Sequence, residues 1–251
     1  MVPPFRALFT VDAEGYSRNP DAELPGLHTR IRDAVEFACE RSGLRDQWQG
    51  ARVRQSTGDG LFAVLPLDAM AALIYPFPDH LQHALAEYAP ELRARGLSLR
   101  LRAAVHVGLV DDEDPITGGI SAATNDINRL LDCEPLRAAL RNSDPDVTFA
   151  AMIISTEVFE QFVRGGHTGL PPSRFAPARA QVKQFDRAAY LYVPVPSRRA
   201  HDDTPRPDAL PGERSPSPVG GVSVSHVSVT GSGTQNVIGA QVSGDIRQRR
   251  S

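Results

Sequence analysis

The sequence predicts an α+β domain in which helices pack against a mainly antiparallel sheet. Three observations predict this class. Amphipathic helical stretches alternate with short apolar runs, a Gly-Asp-Gly turn joins two apolar runs into a hairpin, and a second hairpin closes the series near residue 195. The first 195 residues are therefore expected to form one domain.

Each expected element has its own pattern. Apolar periodicity, helix-stop residues and turn signals give the following order along the chain: a strand at 5–11, a helix at 27–42, a hairpin at 52–65, a helical region at 68–91, a central strand at 97–110, a helix at 122–140, a strand at 147–154, a short helix at 156–163 and a closing hairpin at 180–195. The region at 68–91 contains Pro76 and Pro78, so the helix is expected to kink or split there. His106, in the central strand, is expected to be a hydrogen-bonded core residue rather than a catalytic base.

Two carboxylates stand at strand ends. Asp12 follows the first apolar run and precedes Gly15 by three residues, and Asp59 lies inside the turn 58–60 that precedes another apolar run. An Asp with free backbone carbonyls beside it is a natural ligand for a hard cation, although a turn or helix-cap role is commoner for a single Asp. Two such residues at one sheet edge could hold a pair of metal ions.

The composition limits the class of protein. The chain of 251 residues is 41% hydrophobic and 23% charged, which is typical of globular proteins, and its net charge of −3 argues against a large nucleic-acid-binding face. Its two cysteines, Cys39 and Cys133, lie in helical patterns and are expected to be buried thiols rather than a disulfide. No leader-like segment opens the sequence, and no run approaches the roughly 20 apolar residues of a membrane helix. The expected location is the cytoplasm.

The composition changes at residue 196. Residues 196–221 are rich in Pro, Arg, Asp and Ser, which predicts a disordered linker. Residues 222–251 alternate Val and Ser between Gly/Ser turns, which predicts short strands that cannot bury a core by themselves. This tail is either a β-forming segment that pairs with a partner protein or with another copy of itself, or a disordered tail.

Four short motifs resemble, in order and approximate spacing, the catalytic domain of class III nucleotidyl cyclases. This family contains the adenylate and guanylate cyclases and also the pyrimidine cyclases of bacterial Pycsar anti-phage defence. The motifs occupy residues 12–16, 58–60, 102–108 and 125–129, and residues 182–193 resemble the family's ending. The resemblance covers roughly residues 3–195 and implies a ferredoxin-like core.

The resemblance implies an enzyme that converts a nucleoside triphosphate to a 3′,5′-cyclic mononucleotide and diphosphate. Two divalent cations, Mn²⁺ or Mg²⁺, would be held by Asp12, Asp59 and the backbone at Ala13. The backbone at Gly15 and Tyr16 would face the substrate.

Two further residues of the resemblance lie four apart on one helix. Arg129 matches the family's transition-state arginine, and Asn125 matches the asparagine that orients the ribose. In the family these two residues and the metal carboxylates of each site come from opposite subunits, which implies a homodimer with composite active sites.

Base choice departs from the purine patterns of the family. Adenylate cyclases have Lys and guanylate cyclases have Glu three residues before the Gly of the Gly-Asp motif, where this chain has Gln55. The second base-reading position, an Asp or a Cys in those enzymes, falls near Gly118. A neutral amide suits a pyrimidine edge, which offers both donors and acceptors, so UTP is the favoured substrate and CTP the next.

A compact cyclase of this kind resembles the signal-producing enzymes of anti-phage defence, whose product acts on a separate effector. Two alternatives remain at this stage: a catalytically silent cyclase-like module that binds or regulates, and a conventional adenylate cyclase. A two-metal polymerase or nuclease is disfavoured by the lack of a basic groove.

Overall fold

The computed structural model describes residues 2–114 and 116–199. Most of the predicted linker and all of the predicted tail lie outside the described residues. Seven strands form one sheet: β1 (Phe5–Ala13), β2 (Val53–Ser56), β3 (Gly60–Leu65), β4 (Leu101–Leu109), β5 (Ala150–Ser155), β6 (Ala176–Val182) and β7 (Phe185–Tyr192). The helices are α1 (Leu24–Arg41), α2 (Arg45–Gly50), α3 (Met70–Ile74), α4 (Phe77–Ala94), α5 (Ala122–Leu131), α6 (Glu134–Arg141) and α7 (Thr156–Val158).

The strand order is β2-β3-β1-β4-β5-β7-β6. Only β4 and β5 pair in parallel among the described strands, and the other neighbours are antiparallel. The first four strands, with α1 and α4 as their crossovers, have the order of a ferredoxin-like unit. The expected α+β class with a mainly antiparallel sheet is therefore confirmed.

Helices cover both faces of the sheet. Phe9 of β1 packs in the larger core with α1 and α4, and Leu8 packs in the second core with α5 and α6. Because successive side chains of a strand point to opposite faces, Asp12 shares the face of Leu8. This alternation places the candidate metal carboxylate on the side of the sheet that α5 covers.

The prediction of a single helix at 122–140 is wrong. The structure has two helices there, α5 and α6, with Cys133 in an extended conformation between them. Pro135 lies in the first turn of α6, where its missing N–H is tolerated. Inside one continuous helix the same proline would remove a hydrogen bond and clash with the preceding turn, so the chain starts a new helix instead.

The helical region expected at 68–91 is split as predicted, since α3 ends at Ile74 and α4 begins at Phe77. The short helix α2 has no counterpart in the sequence analysis. Both cysteines are buried free thiols, as expected. None of the helices in the described ranges combines the length and apolar character needed to cross a membrane.

The last described residues pack on the loop between α6 and β5. The backbone N–H of Arg199 donates to the carbonyl of Asn142 at 2.9 Å, and the N–H of Asp144 donates to Oγ of Ser197 at 2.9 Å. The described chain thus stays attached to the domain for a few residues beyond the expected boundary at residue 195.

Candidate active site

The ends of β1 and β3 bring Asp12 and Asp59 to the same edge of the sheet. Asp12 is paired in register with Gly60, and the N–H of Ala13 donates to the carbonyl of Asp59 at 2.9 Å. A Cβ on Gly60 would lie 1.9 Å from the carbonyl oxygen of Val11, so only glycine permits this approach. The Gly-Asp-Gly turn is thereby pressed against the end of β1.

Asp12 is buried and ion-paired with Arg102. Only 8% of Asp12 is exposed, and its Oδ1 and Oδ2 accept hydrogen bonds from Nε and Nη2 of Arg102 at 2.9 and 2.5 Å. Burial raises the pKa of Asp12 to about 6 in spite of this guanidinium, and the negative charge of Asp59 adds to the rise. The two carboxylates are therefore close enough to influence each other.

Arg102 is a site residue to which the sequence analysis gave no role. It opens the third motif, and the β1–β4 register places it directly opposite Asp12. The signal available in the sequence was a basic residue within a strand whose neighbours are apolar. Because burying an unpaired charge is costly, a charged side chain at such a position is expected to pair with a side chain on an adjacent strand.

An open cleft lies beside the two carboxylates. Its lining includes Ala13, Gly15, Tyr16, Asp59 and Arg102, and its volume is about 880 Å³, within the range of small-molecule sites. Gly15 has a φ of 63°, a left-handed conformation that suits glycine. The hydroxyl of Tyr16 donates to the carbonyl of Leu24 at 2.6 Å, so this side chain anchors the turn to α1.

The donor chemistry of this edge fits a hard divalent cation. Asp12 and Asp59 supply carboxylate oxygens, and the turn at Ala13 supplies backbone carbonyl oxygen. Within residues 2–114 and 116–199, no group of three or more His, Cys, Asp or Glu side chains is arranged to hold a metal. A site with two carboxylates is nevertheless the usual form for Mg²⁺, which takes its other ligands from water and substrate phosphates.

Asn125 and Arg129 lie on α5 and are both exposed. Arg129 pairs with Asp126 at 3.2 Å, and its guanidinium lies 5.6 Å from the ring centroid of Phe185. It lines a second cleft together with Glu157, among others. Within one subunit, therefore, the structure does not place Arg129 among the residues that line the cleft of Asp59.

Gln55 and Gly118 line the same groove. The groove lies between β2 and the loop at residues 111–119. A Cβ on Gly118 would lie 2.3 Å from the carbonyl oxygen of Asp114. No side chain fits at residue 118 in this arrangement, so the chain offers only backbone atoms there. Besides Gln55, the lining includes charged residues, among them Arg52, Asp112 and Glu113. The two positions singled out for base choice are adjacent in space.

His106 is buried as expected, at 9% exposure. Its Nδ1 is enclosed and has no hydrogen-bond partner among the described residues, so the expectation of a hydrogen-bonded histidine is wrong for this nitrogen. Burial lowers the pKa of His106, whereas the carboxylates of Glu157 and Asp126 oppose that shift.

Solved structures of nucleotide cyclases resemble this chain in fold. An adenylate cyclase from Trypanosoma brucei, determined in its monomeric state, has a TM-score of 0.50 and 14% sequence identity over 78% of this chain and 90% of its own. The adenylyl cyclase CyaB from P. aeruginosa gives 0.49 and 16%, covering 79% of this chain and 98% of its own. A guanylyl cyclase gives 0.47 and 15%, covering 81% and 98%.

No family model matches the sequence, and no curated protein matches it. The likeness to the T. brucei enzyme, at this low identity, concerns the fold. The described part of the chain has the α+β fold of a nucleotidyl cyclase catalytic domain.

Proposed function

We propose that this protein is a metal-dependent nucleotidyl cyclase that works as a homodimer. The observation that carries the proposal is the buried carboxylate of Asp12 beside Asp59 and Arg102, two residues that line an open cleft on a cyclase-like fold. Structural ion pairs seldom need a second carboxylate next to a desolvated one, because the two negative charges repel each other. Such an arrangement is typical of a site that receives additional positive charge.

Asp12, Asp59 and the backbone at Ala13 would hold two divalent cations, Mn²⁺ or Mg²⁺. When bound, these cations would acidify the ribose 3′-hydroxyl and neutralise the triphosphate. Arg102 lines the cleft and can donate to phosphate oxygens. Gly15 and Tyr16 line the same cleft, and their backbone N–H groups would bind the same anion.

In the proposed reaction the ribose 3′-hydroxyl loses its proton to water, its oxygen forms a bond to the α-phosphorus, and the bond between that phosphorus and the departing diphosphate breaks. Negative charge grows on the phosphoryl oxygens as this happens, so a guanidinium in the right position stabilises the transition state. Arg129 is our candidate for that group. Asn125, one turn earlier on α5, is our candidate for holding the ribose.

The separation of the two clefts supports a site shared between subunits. Arg129 lies over the ring of Phe185 and lines one cleft, whereas Arg102, the partner of Asp12, lines the other together with Asp59. A two-fold dimer can bring one cleft of each subunit against the other cleft of its partner, which forms two equivalent sites. A lone subunit would then lack a complete site.

UTP is the proposed substrate, with CTP next. The support is the groove at Gln55, where an amide can both donate and accept and where Gly118 carries no side chain. We propose further that the cyclic product serves as a signal in anti-phage defence, on the strength of the motif resemblance to pyrimidine cyclases.

The test is to incubate the purified protein with Mn²⁺ and each of the four nucleoside triphosphates and to identify products by mass spectrometry. We expect cyclic UMP as the main product and loss of product in Asp12→Asn, because the carboxylate is the metal ligand. Cyclic AMP alone would overturn the pyrimidine assignment in favour of an adenylate cyclase.

A second candidate is a silent cyclase-like module that binds or regulates. The bidentate pairing of Asp12 with Arg102 favours it, because a guanidinium already satisfies the carboxylate that a cation would need. No cyclic product from any of the four triphosphates, with the dimer intact, would support this candidate and overturn the cyclase.

A further inference from the structure

Arg100 is a buried cation that joins three parts of the fold. It lies just before β4 with 6% of its surface exposed. Its Nε donates to the carbonyl of Thr148 at 2.9 Å, and its Nη2 donates to the carbonyl of Leu140 at 2.6 Å and to Oγ of Ser143 at 2.5 Å. Its Nη1 donates to Oε2 of Glu14 at 2.9 Å.

Of these acceptors only Glu14 carries a charge. The carbonyl and hydroxyl acceptors fix the orientation of the guanidinium group, and the Glu14 carboxylate neutralises its positive charge. Burial lowers the pKa of Arg100, and Glu14 is the largest opposing influence. Arg100 is buried, whereas about a quarter of the Glu14 side chain is exposed, at 26%. Removing the Glu14 charge would leave the buried guanidinium uncompensated.

Glu14 belongs to the turn that follows Asp12. Its N–H donates to the carbonyl of Arg100 at 2.9 Å, while the N–H of Ala13 donates to the carbonyl of Asp59 at 2.9 Å. Arg100 therefore holds Glu14 through both main chain and side chain. The turn is fixed between the Gly-Asp-Gly turn on one side and the start of β4 on the other.

We propose that Arg100 is a positioning residue, which acts through Glu14 to set the turn at Ala13 and thereby the affinity of the site for a divalent cation. This inference rests on the proposed function. The side-chain hydrogen bonds of Arg100 go to other acceptors than Asp12 and Asp59, and Glu14 is not proposed as a metal ligand. Their part is to keep the Ala13 carbonyl and the Asp12 carboxylate in one geometry, as residues behind a metal's ligands generally do.

The test is direct Mn²⁺ binding by Glu14→Gln, which keeps the shape of the side chain and removes its charge. Free Mn²⁺ is measured by electron paramagnetic resonance in the presence of 3′-deoxy-UTP, which lacks the attacking hydroxyl, so that no reaction occurs. A titration of the nucleotide without protein gives the Mn²⁺ that the nucleotide itself holds, which is subtracted. We expect about 10-fold weaker Mn²⁺ binding. At saturating Mn²⁺, kcat should stay within about threefold of the wild type, because the groups that touch substrate are unchanged.

Glu91→Gln is the matched control. Glu91 of α4 also pairs with an arginine of another element, Arg30 of α1, at 2.5 Å, but it does not belong to the turn that follows Asp12. This variant should bind Mn²⁺ as the wild type does. The double variant Glu14→Gln/Arg100→Gln should bind no more weakly than Arg100→Gln alone, because one interaction is removed only once. If Arg100→Gln does not fold, Glu14→Gln still decides the question.

Wild-type Mn²⁺ affinity in Glu14→Gln would overturn this inference and leave the cyclase proposal standing. A wild-type protein that binds no Mn²⁺ and cyclises no triphosphate would overturn both.

Discussion

At the scale of single residues, Asp12 is held under unfavourable electrostatic conditions. The side chain is desolvated, its pKa is raised to about 6, and a second carboxylate lies near it. Arg102 offsets part of this cost through two hydrogen bonds. Arrangements of this kind concentrate at functional sites, because an added cation or an anionic substrate can complete them.

His106 provides a prediction about stability and pH. Its folded-state pKa lies below the ordinary 6.5, mainly because of burial. The positive charge of Arg187 also lowers this pKa, whereas the carboxylates of Glu157 and Asp126 raise it. The unfolded chain therefore takes up a proton first as the pH falls below 6.5, and folding stability is lost over that range. When the pH is lowered from about 7.5 to about 5.5, the free energy of unfolding, measured by urea titration, should fall less in His106→Asn than in the wild type.

The control for this prediction is His83→Asn, whose side chain is 63% exposed. It should retain the wild-type pH dependence. An unchanged pH dependence in His106→Asn would show that the buried imidazole is not the group responsible.

At the scale of elements, β4 and α5 organise the candidate site. Arg102 lies at the start of β4, and Gly108 lies near its end, where a Cβ would be only 2.4 Å from Cβ of Ala123 on α5. Six residues of strand span about 20 Å. The α5 helix begins beside the end of β4. Asp132 follows the last residue of α5, and its negative charge contributes to the raised pKa of Asp12. The helix therefore runs back along the strand toward the carboxylates.

The contact between β1 and β3 gives a prediction for Gly60. A methyl group at this position meets the backbone of β1 at Val11, and backbone cannot move aside as a flexible side chain can. Gly60→Ala should lower the free energy of unfolding by about 1–3 kcal/mol and displace Asp59 from Asp12. Urea denaturation and Mn²⁺ titration measure the two effects.

Gly26→Ala is the comparison for this prediction. Gly26 lies in α1, and a Cβ added there would meet nothing within 4 Å outside the backbone of its own helix. Alanine at this position should therefore be neutral or stabilise by about 0.5–1 kcal/mol. Equal stability of Gly60→Ala and the wild type would mean that the two strands can separate without cost.

At the scale of the whole molecule, Asp59 and Arg129 line different clefts. The proposed dimer makes a quantitative prediction from this division. Asp12→Asn and Arg129→Ala should each be nearly inactive, with Arg129→Ala losing about 100- to 1,000-fold in rate. Mixed in equal amounts and allowed to exchange subunits, they should recover about a quarter of the wild-type rate, because half of the dimers carry one intact site of two.

The control mixture pairs Asp12→Asn with Asp59→Asn. Both changes fall in the same half-site, so neither site of the mixed dimer is complete and no activity should return. Failure of the first mixture to regain activity, with subunit exchange verified, would contradict the composite site.

Much of the fold could be predicted from the sequence because its signals are local. The alternation in β4, the apolar stripe of α1 and the glycines around Asp59 each act within a few residues. The break at Pro135 was missed, although the proline is visible in the sequence, because the apolar periodicity continues across it. The linker at 196–221 and the tail at 222–251 stay predictions.

By itself, the sequence determined the α+β class, the order of the strands along the chain and the placement of Asp12 and Asp59 at strand ends, since periodicity and turn chemistry are properties of neighbouring residues. Tertiary structure alone decided the pairing of Asp12 with Arg102, which are 90 residues apart, the clamp of Arg100 on Glu14, and the placement of Arg129 and Asp59 in different clefts. The physical reason is strand register: hydrogen bonding between β1 and β4 selects which distant side chains meet, and no local pattern specifies that choice.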